Sequence, residues 1–157
     1  MTPPTPTLTI AQVKRLGLKM DQPEREPGEL IACFARGRLV NGKNASRGWQ
    51  MKAWGRYKRE WRARTLDALW MAGGRGHDWM SASKWTPKVV TFHAIVPSQF
   101  DGDGLQLACA PIRDALVTAE IIDDDRDSAG HSFVYTQEAR RKAGTVYGVS
   151  VRVRLRG

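Results

Sequence analysis

Leu105, Cys109, Ile112, Leu116 and Ala119 recur at helical spacing shortly after the apolar run from Lys88 to Pro97. The pattern reads as a strand followed by an amphipathic helix. The spacing keeps one helix face apolar, and Val89, Val90, Phe92, Ile95 and Val96 suit a strand. Acidic knots flank the helical segment: Asp101-Gly102-Asp103-Gly104 before it, Asp123-Asp124-Asp125 after it. The same unit therefore governs both the fold and the spacing of the charges. Pro111 is expected to kink this helix or mark a start inside the segment, because proline has no N–H for the preceding turn.

The rest of the chain fits around this unit. Glu29 to Ala35 reads as a short strand. Arg36 to Ser46, with two Gly and two Asn, reads as a loop. Trp54, Tyr57, Trp61 and Ala68 mark the buried stripe of a helix from about Trp49 to Met71, which Gly73 and Gly74 end. Residues 77–87 read as a second loop. Ser132 to Tyr135 reads as a strand. Tyr147, Val149, Val151, Val153 and Leu155 alternate with Gly148, Ser150, Arg152 and Arg154, so the C-terminal segment is a strand with one buried face. The order β, α, β, α, β, β predicts one α+β domain over 29–157, a small mixed sheet packed with two main helices. Residues 1–28 form a separate leader: a Pro/Thr-rich tail expected to be disordered, a short helix from Ile10 to about Leu16, and a linker over 20–28.

Charge narrows the class of partner. The formal net charge is +9, yet eight of the sixteen Asp and Glu residues fall between Asp101 and Asp127. From Arg36 to Arg64 there are ten Lys or Arg residues and one acid, Glu60. Arg140, Arg141 and Lys142 form a second basic cluster, followed by Arg152, Arg154 and Arg156. Basic arms around an acidic centre are the layout of a nuclease, in which cations hold phosphates and carboxylates hold a metal. No apolar run is long enough to cross a bilayer, and the first residues lack the features of a signal peptide. Cys33 and Cys109 lie in apolar segments and read as reduced, buried side chains of a cytosolic protein, with no zinc spacing. His77, His93 and His131 offer no metal-ligand spacing, and His93 reads as structural.

Carboxylates packed this closely repel one another unless a hard cation sits among them. Mg²⁺ takes oxygen ligands, commonly one to a few carboxylates, and can polarise a phosphodiester and activate water. For the two knots to share an ion the chain must fold back. One protomer could manage this with a short or kinked helix; otherwise the set is completed across a dimer. Asp-rich loops are also ordinary solvated turns, and Asp-Gly is a favoured turn dipeptide. An EF-hand is excluded, because Leu105 stands where an oxygen ligand is needed and no closing Glu follows. Trp54, Tyr57 and Trp61 read as core rather than as base-stacking residues.

Asp101-Gly-Asp103-Gly-Leu105-Gln106, then Ile112-Arg113-Asp114-Ala115-Leu116, then Ile121-Ile122-Asp123-Asp124-Asp125 resembles the RusA-like Holliday junction resolvases. The Asn-bearing basic loop and following helix (Asn41, Asn44, Arg47 to Arg64) sit in the family's order, and the resemblance covers roughly residues 30–155. It implies a homodimeric, Mg²⁺-dependent endodeoxyribonuclease (Mn²⁺ being a possible substitute) that cuts four-way DNA in recombination and repair, in the cytoplasm of a bacterial or phage-infected cell. The implied metal-binding and catalytic residues are Asp101, Asp103, Asp124 and Asp125, with Asp123 and Asp124 as the competing register of the closing pair. The implied DNA contacts are Asn41, Asn44, Arg47, Lys52, Arg56, Lys58, Arg59 and Arg62. Two departures stand out. The family's Asn after the second Asp is Gly104 here. Its helix lysine falls on Leu107 or Ala110, with Arg113 or a lysine from elsewhere as a stand-in. The alternative is a catalytically degenerate, non-cleaving DNA-binding protein on the same fold. A third reading is an unrelated basic regulator that uses residues 9–18 in a DNA-reading helical unit.

Overall fold

Four strands lie side by side in the order β1-β4-β2-β3. They are β1 (Glu29–Arg36), β2 (Lys88–Val96), β3 (Ser132–Ala139) and β4 (Gly148–Leu155). The computed structural model describes residues 22–41, 50–73, 82–126 and 130–157. Among these residues the helices are α1 (Gln50–Gly73) and α2 (Gly102–Thr118). The chain is a single α+β domain with a mixed sheet, in the element order expected from the sequence. The expected helix at Ile10–Leu16, Asn44 and Arg47 lie outside the described residues.

The alternation in β4 does what its sequence dictates. Val149, Val151 and Val153 are buried against Ala35, Cys33 and Ile31 of β1 on one side. On the other they meet Ala94, Phe92 and Val90 of β2. These residues form the inner sheet face, and Trp61, Leu69, Leu105, Cys109, Ile112 and Leu116 from the helices complete the core. Successive side chains along a strand point to opposite faces, so Ala32, Phe34, Thr91, His93, Ile95, Ser150 and Arg152 fall on the other one. Both cysteines are buried and free, and burial pushes each thiol up to about 12.

β2 pairs in parallel with β3, from Val89 against Ser132 to Val96 against Ala139. A parallel pair needs a crossover, and α2 supplies it. β3 outruns its expected end at Tyr135 because its last residues are polar edge positions, with Thr136 and Ala139 exposed.

The expectation that Pro111 could mark a start is corrected. It neither starts α2 nor ends it; the helix runs from Gly102 to Thr118 with Pro111 buried inside. A proline there costs about 3 kcal/mol, which the burial of Leu105, Cys109, Ile112 and Leu116 offsets.

Residues before β1 also do more than link. The Gln22 carboxamide accepts from the Phe34 N–H at 2.8 Å and donates to the Phe34 carbonyl at 3.0 Å. A side chain thus completes the outer edge of β1, where an unpaired ladder would otherwise stand open.

Gly148 is needed where β4 begins. A Cβ there would strike the Ala35 carbonyl and the Phe34 ring, which lies across the strand at that point. Gly148→Ala is expected to lower the unfolding free energy by about 1–3 kcal/mol, the usual range for overpacking. Urea titration checks this, and an unchanged midpoint would contradict it.

Candidate functional site

Strand directions sort the charged residues into two groups. β2 and β3 run together, so their C-terminal ends open onto the same side. Val96 leads to Asp101 and Asp103, while Ala139 leads to Arg140, Arg141 and Lys142. Arg36, at the end of β1, pairs with Gly148 at the start of β4 and joins this side, with Arg38 just beyond it. Two contacts lock the β3 exit to the chain entering α2. The Arg140 N–H donates to the Val96 carbonyl at 2.8 Å, and Arg141 Nε donates to the Pro97 carbonyl at 3.3 Å.

Asp101 is the N-cap of α2. Its extended backbone (φ −70°, ψ 164°) lets Oδ1 accept the Gly104 N–H at 2.9 Å. The cap satisfies one of the open donors of the first turn, and the carboxylate charge suits the positive helix end. Gln137 of β3 fixes the approach to this cap. Its carboxamide accepts the Phe100 N–H at 2.8 Å and donates to the Phe100 carbonyl at 2.7 Å. Asp103 lies in the first turn and is exposed. A Cβ on Gly104 would come within 2.5 Å of Asp101 Oδ1 and 2.6 Å of Asn41 Oδ1. The Asn41 carboxamide therefore occupies the space that a side chain at 104 would take. The Asp101 carboxylate and the Asn41 amide oxygen meet at the head of α2, with Asp103 in the same turn; oxygens of this kind suit a hard divalent cation that keeps several waters.

The closing trio sits elsewhere. α2 has 17 residues and so spans roughly 25 Å; Asp101 stands at its head, and Asp123–Asp125 follow its tail. Of the two arrangements the sequence left open, the single-protomer one required a short or kinked helix; α2 runs as one helix from Gly102 to Thr118 and separates the knots by its length. Consistent with this, the described residues contain no group of three or more His, Cys, Asp or Glu placed to hold a metal ion.

Each member of the trio has a protein partner. The His131 imidazole is buried; its Nδ1 accepts the Lys88 N–H at 3.2 Å, so Nε2 carries the proton and donates to Asp123 Oδ1 at 2.6 Å. That hydrogen bond holds the Asp123 carboxyl below the usual range. Asp124 accepts the Arg126 N–H at 3.0 Å and Arg126 Nε at 2.7 Å, and the backbone bond is the larger cause of its lowered pKa. Asp125 lies 4.0 Å from Arg113, whose guanidinium stacks 5.2 Å over the Phe133 ring. Arg113 thus serves this end and not the acid pair. Lys88 is buried under the same loop, donating to the Ser83 and Thr86 carbonyls at 2.7 and 2.9 Å. Burial lowers its pKa, against the opposing pull of Asp123. Leu107 is exposed on α2 and Ala110 is half-buried, so no cation stands at either position.

α1 runs beside α2 in the same direction. Tyr57 Oη donates to the Ala108 carbonyl at 3.0 Å, and Arg62 pairs with Asp114 at 3.7 Å. Trp61 and Ala68 are buried while Trp54 and Tyr57 are half-buried, their rings stacked at 4.8 Å. Lys52, Arg56 and Arg59 fall on one exposed face at i, i+4 and i+7; Lys58 is half-buried. Arg62 is already engaged by a carboxylate. The sequence had no means of finding His131 or Gln137. Each acts on a residue that only parallel pairing of β2 with β3 brings near.

No protein-family model matches this chain, and no curated protein matches it. Among the described residues no helix is long and apolar enough to cross a membrane.

The lowered pKa values of Asp123 and Asp124 imply a definite pH response. A depressed carboxyl contributes stability that is present above its unfolded value and lost as pH falls through the folded one. An NMR titration of side-chain carboxyl carbons is expected to place both below about 3.9, the ordinary aspartate value. His131→Gln is expected to raise Asp123 while leaving Asp124 nearly unmoved. Titration of Asp123 at the ordinary value in the parent protein would mean that the His131 contact is absent in solution.

Proposed function

We propose that the chain is a metal-dependent endodeoxyribonuclease of the RusA type, acting as a homodimer on four-way or otherwise branched DNA. The observation that carries the reading is the meeting of Asp101 and Asn41 oxygens at the head of α2, with Asp103 in the same first turn, on the side where Arg36, Arg38, Arg140, Arg141 and Lys142 emerge. Anionic donors for a cation, ringed by cations for phosphates, are what hydrolysis of a phosphodiester requires. When bound, Mg²⁺ or Mn²⁺ supplies charge neutralisation at the scissile phosphate and acidifies water. The protein's own part is placement. Gly104 N–H orients Asp101, Gln137 holds Phe100 behind it, and Asn41 fills the gap beside it. Lys52, Arg56 and Arg59 hold the DNA backbone without reading sequence.

The length of α2 carries the proposal to the dimer: the closing pair is donated by the second protomer. Asp123 is committed to the buried His131, which favours Asp124 and Asp125 as that pair. A two-fold dimer would present two such composite sites, matched to a nearly two-fold junction.

A second reading has its own support. The trio acids are already paired with His131, Arg126 and Arg113, and neither Leu107 nor Ala110 is basic. These features fit a non-cleaving DNA-binding protein on the same fold.

Synthetic four-way junctions with and without Mg²⁺ separate the two. Under the nuclease reading, Asp103→Asn keeps junction binding and loses cleavage by at least about 100-fold. Binding without nicks by the parent protein would favour the second reading. The composite site has a separate test. Asp103→Asn and Asp124→Asn are each expected to be inactive, and mixing them should restore nicking, because a mixed dimer rebuilds one intact site. If both halves belonged to one protomer, the mixture would stay dead.

A further inference from the structure

Beyond the acid pair, the outer sheet face carries a groove that the nuclease reading does not use. It has a volume of about 710 Å³ and lies between the β3–β4 connection and the ends of β1 and β2. That size falls within the roughly 300–1,000 Å³ of ordinary ligand clefts. Its floor is Phe34 and Ile95, its wall includes Val146, and its rim carries Arg140 and Lys142. The described lining residues include no carboxylate, although Glu138 pairs with Arg140 Nε beside it.

The floor is built with some care. Phe34 is held at its backbone by Gln22 and lies across Gly148, which has no Cβ to push the ring up. The β3–β4 connection is itself shaped by a turn. Thr145 returns its N–H and hydroxyl to the Lys142 carbonyl at 3.2 and 2.6 Å, with Gly144 at φ +83°. This turn fixes the backbone at Lys142, an exposed residue that lines the groove.

We propose that this groove takes an unpaired stretch of DNA strand, one base resting on Phe34 and its phosphates meeting Lys142 and Arg140. An aromatic face beside cations is the general device for binding single strands, because every base offers a π-face and every nucleotide a charge. An acidic peptide would satisfy the cations but would leave the aromatic floor without a planar partner. The location supports a strand in transit. Arg141, next to Arg140, is bonded to Pro97, and Pro97 precedes Asp101 by four residues, no more than ~14 Å of chain. A strand leaving the acid pair would meet the groove next. The inference rests on the nuclease reading for its choice of nucleic acid, but not on catalysis.

The test is binding of a fluorescein-labelled 12-nucleotide oligo(dT) in EDTA, followed by anisotropy. Lys142→Glu, an exposed substitution, is expected to weaken binding about tenfold. An abasic strand of the same length should bind at least about fivefold more weakly than oligo(dT), the low end for one stacked base. A 5-iodouracil strand should crosslink at Phe34. Unchanged affinity in Lys142→Glu, crosslinks confined to α1, equal binding of poly-glutamate, or no binding of oligo(dT) at all would each overturn the groove assignment. Junction cleavage by the parent protein with Mg²⁺, run in parallel, reports on the nuclease reading separately.

Discussion

The burial of α2's apolar stripe in the core beneath the sheet is the constraint on which the rest depends. Leu105, Cys109, Ile112 and Leu116 share one buried core with Val90, Phe92, Val151 and Val153, and Arg113 of the same helix lies over the Phe133 ring of β3. Because the helix joins two parallel strands, its head must lie where β2 ends and its tail where β3 begins. Apolar packing therefore decides where the charges go. Asp101 and Asp103 are delivered to one end of the sheet and Asp123–Asp125 to the other, whatever their mutual electrostatics would prefer.

Those two ends are chemically unlike. At the β2 and β3 exits, carboxylates stand among arginines and lysines on exposed chain, an arrangement suited to polyanions and cations from outside. At the entry end, Asp123, His131 and Lys88 interlock through buried or half-buried hydrogen bonds. That end is tied down by the protein itself. A carboxylate with a buried imidazole as its donor is a costly group to release, whereas the partners of Asp124 and Asp125 are the more exposed Arg126 and Arg113.

Much of the architecture was legible because period and burial agree. The 2-residue alternation in β4 and the stripe along α2 each have one physical solution. Where the reading failed, a local rule lost to tertiary context. Pro111 obeys helix-breaking sterics in isolation, but here the packing of its neighbours outweighs the missing N–H. β3 was foreseen only to Tyr135, since Thr136, Gln137 and Glu138 look like loop until their strand partner is known. The acidic residues stood out in the sequence as two knots. Whether one protomer or two would join them was left open by the sequence, because it turned on the length and straightness of the helix between them. Gln137 and His131 were silent because a single polar residue carries no period; only the register of β2 against β3 shows what each one reaches.

Gly104 and Asn41 are coupled sterically although they lie far apart in the chain. The amide oxygen that crowds Gly104 belongs to a residue far earlier in the chain, just past β1. The two positions consequently share one small volume beside Asp101, and only one of them can be large. A homologue that carries a bulky polar group in the first helical turn would have to shrink its counterpart after the first strand, so the pair should drift together over evolutionary time as a single steric unit.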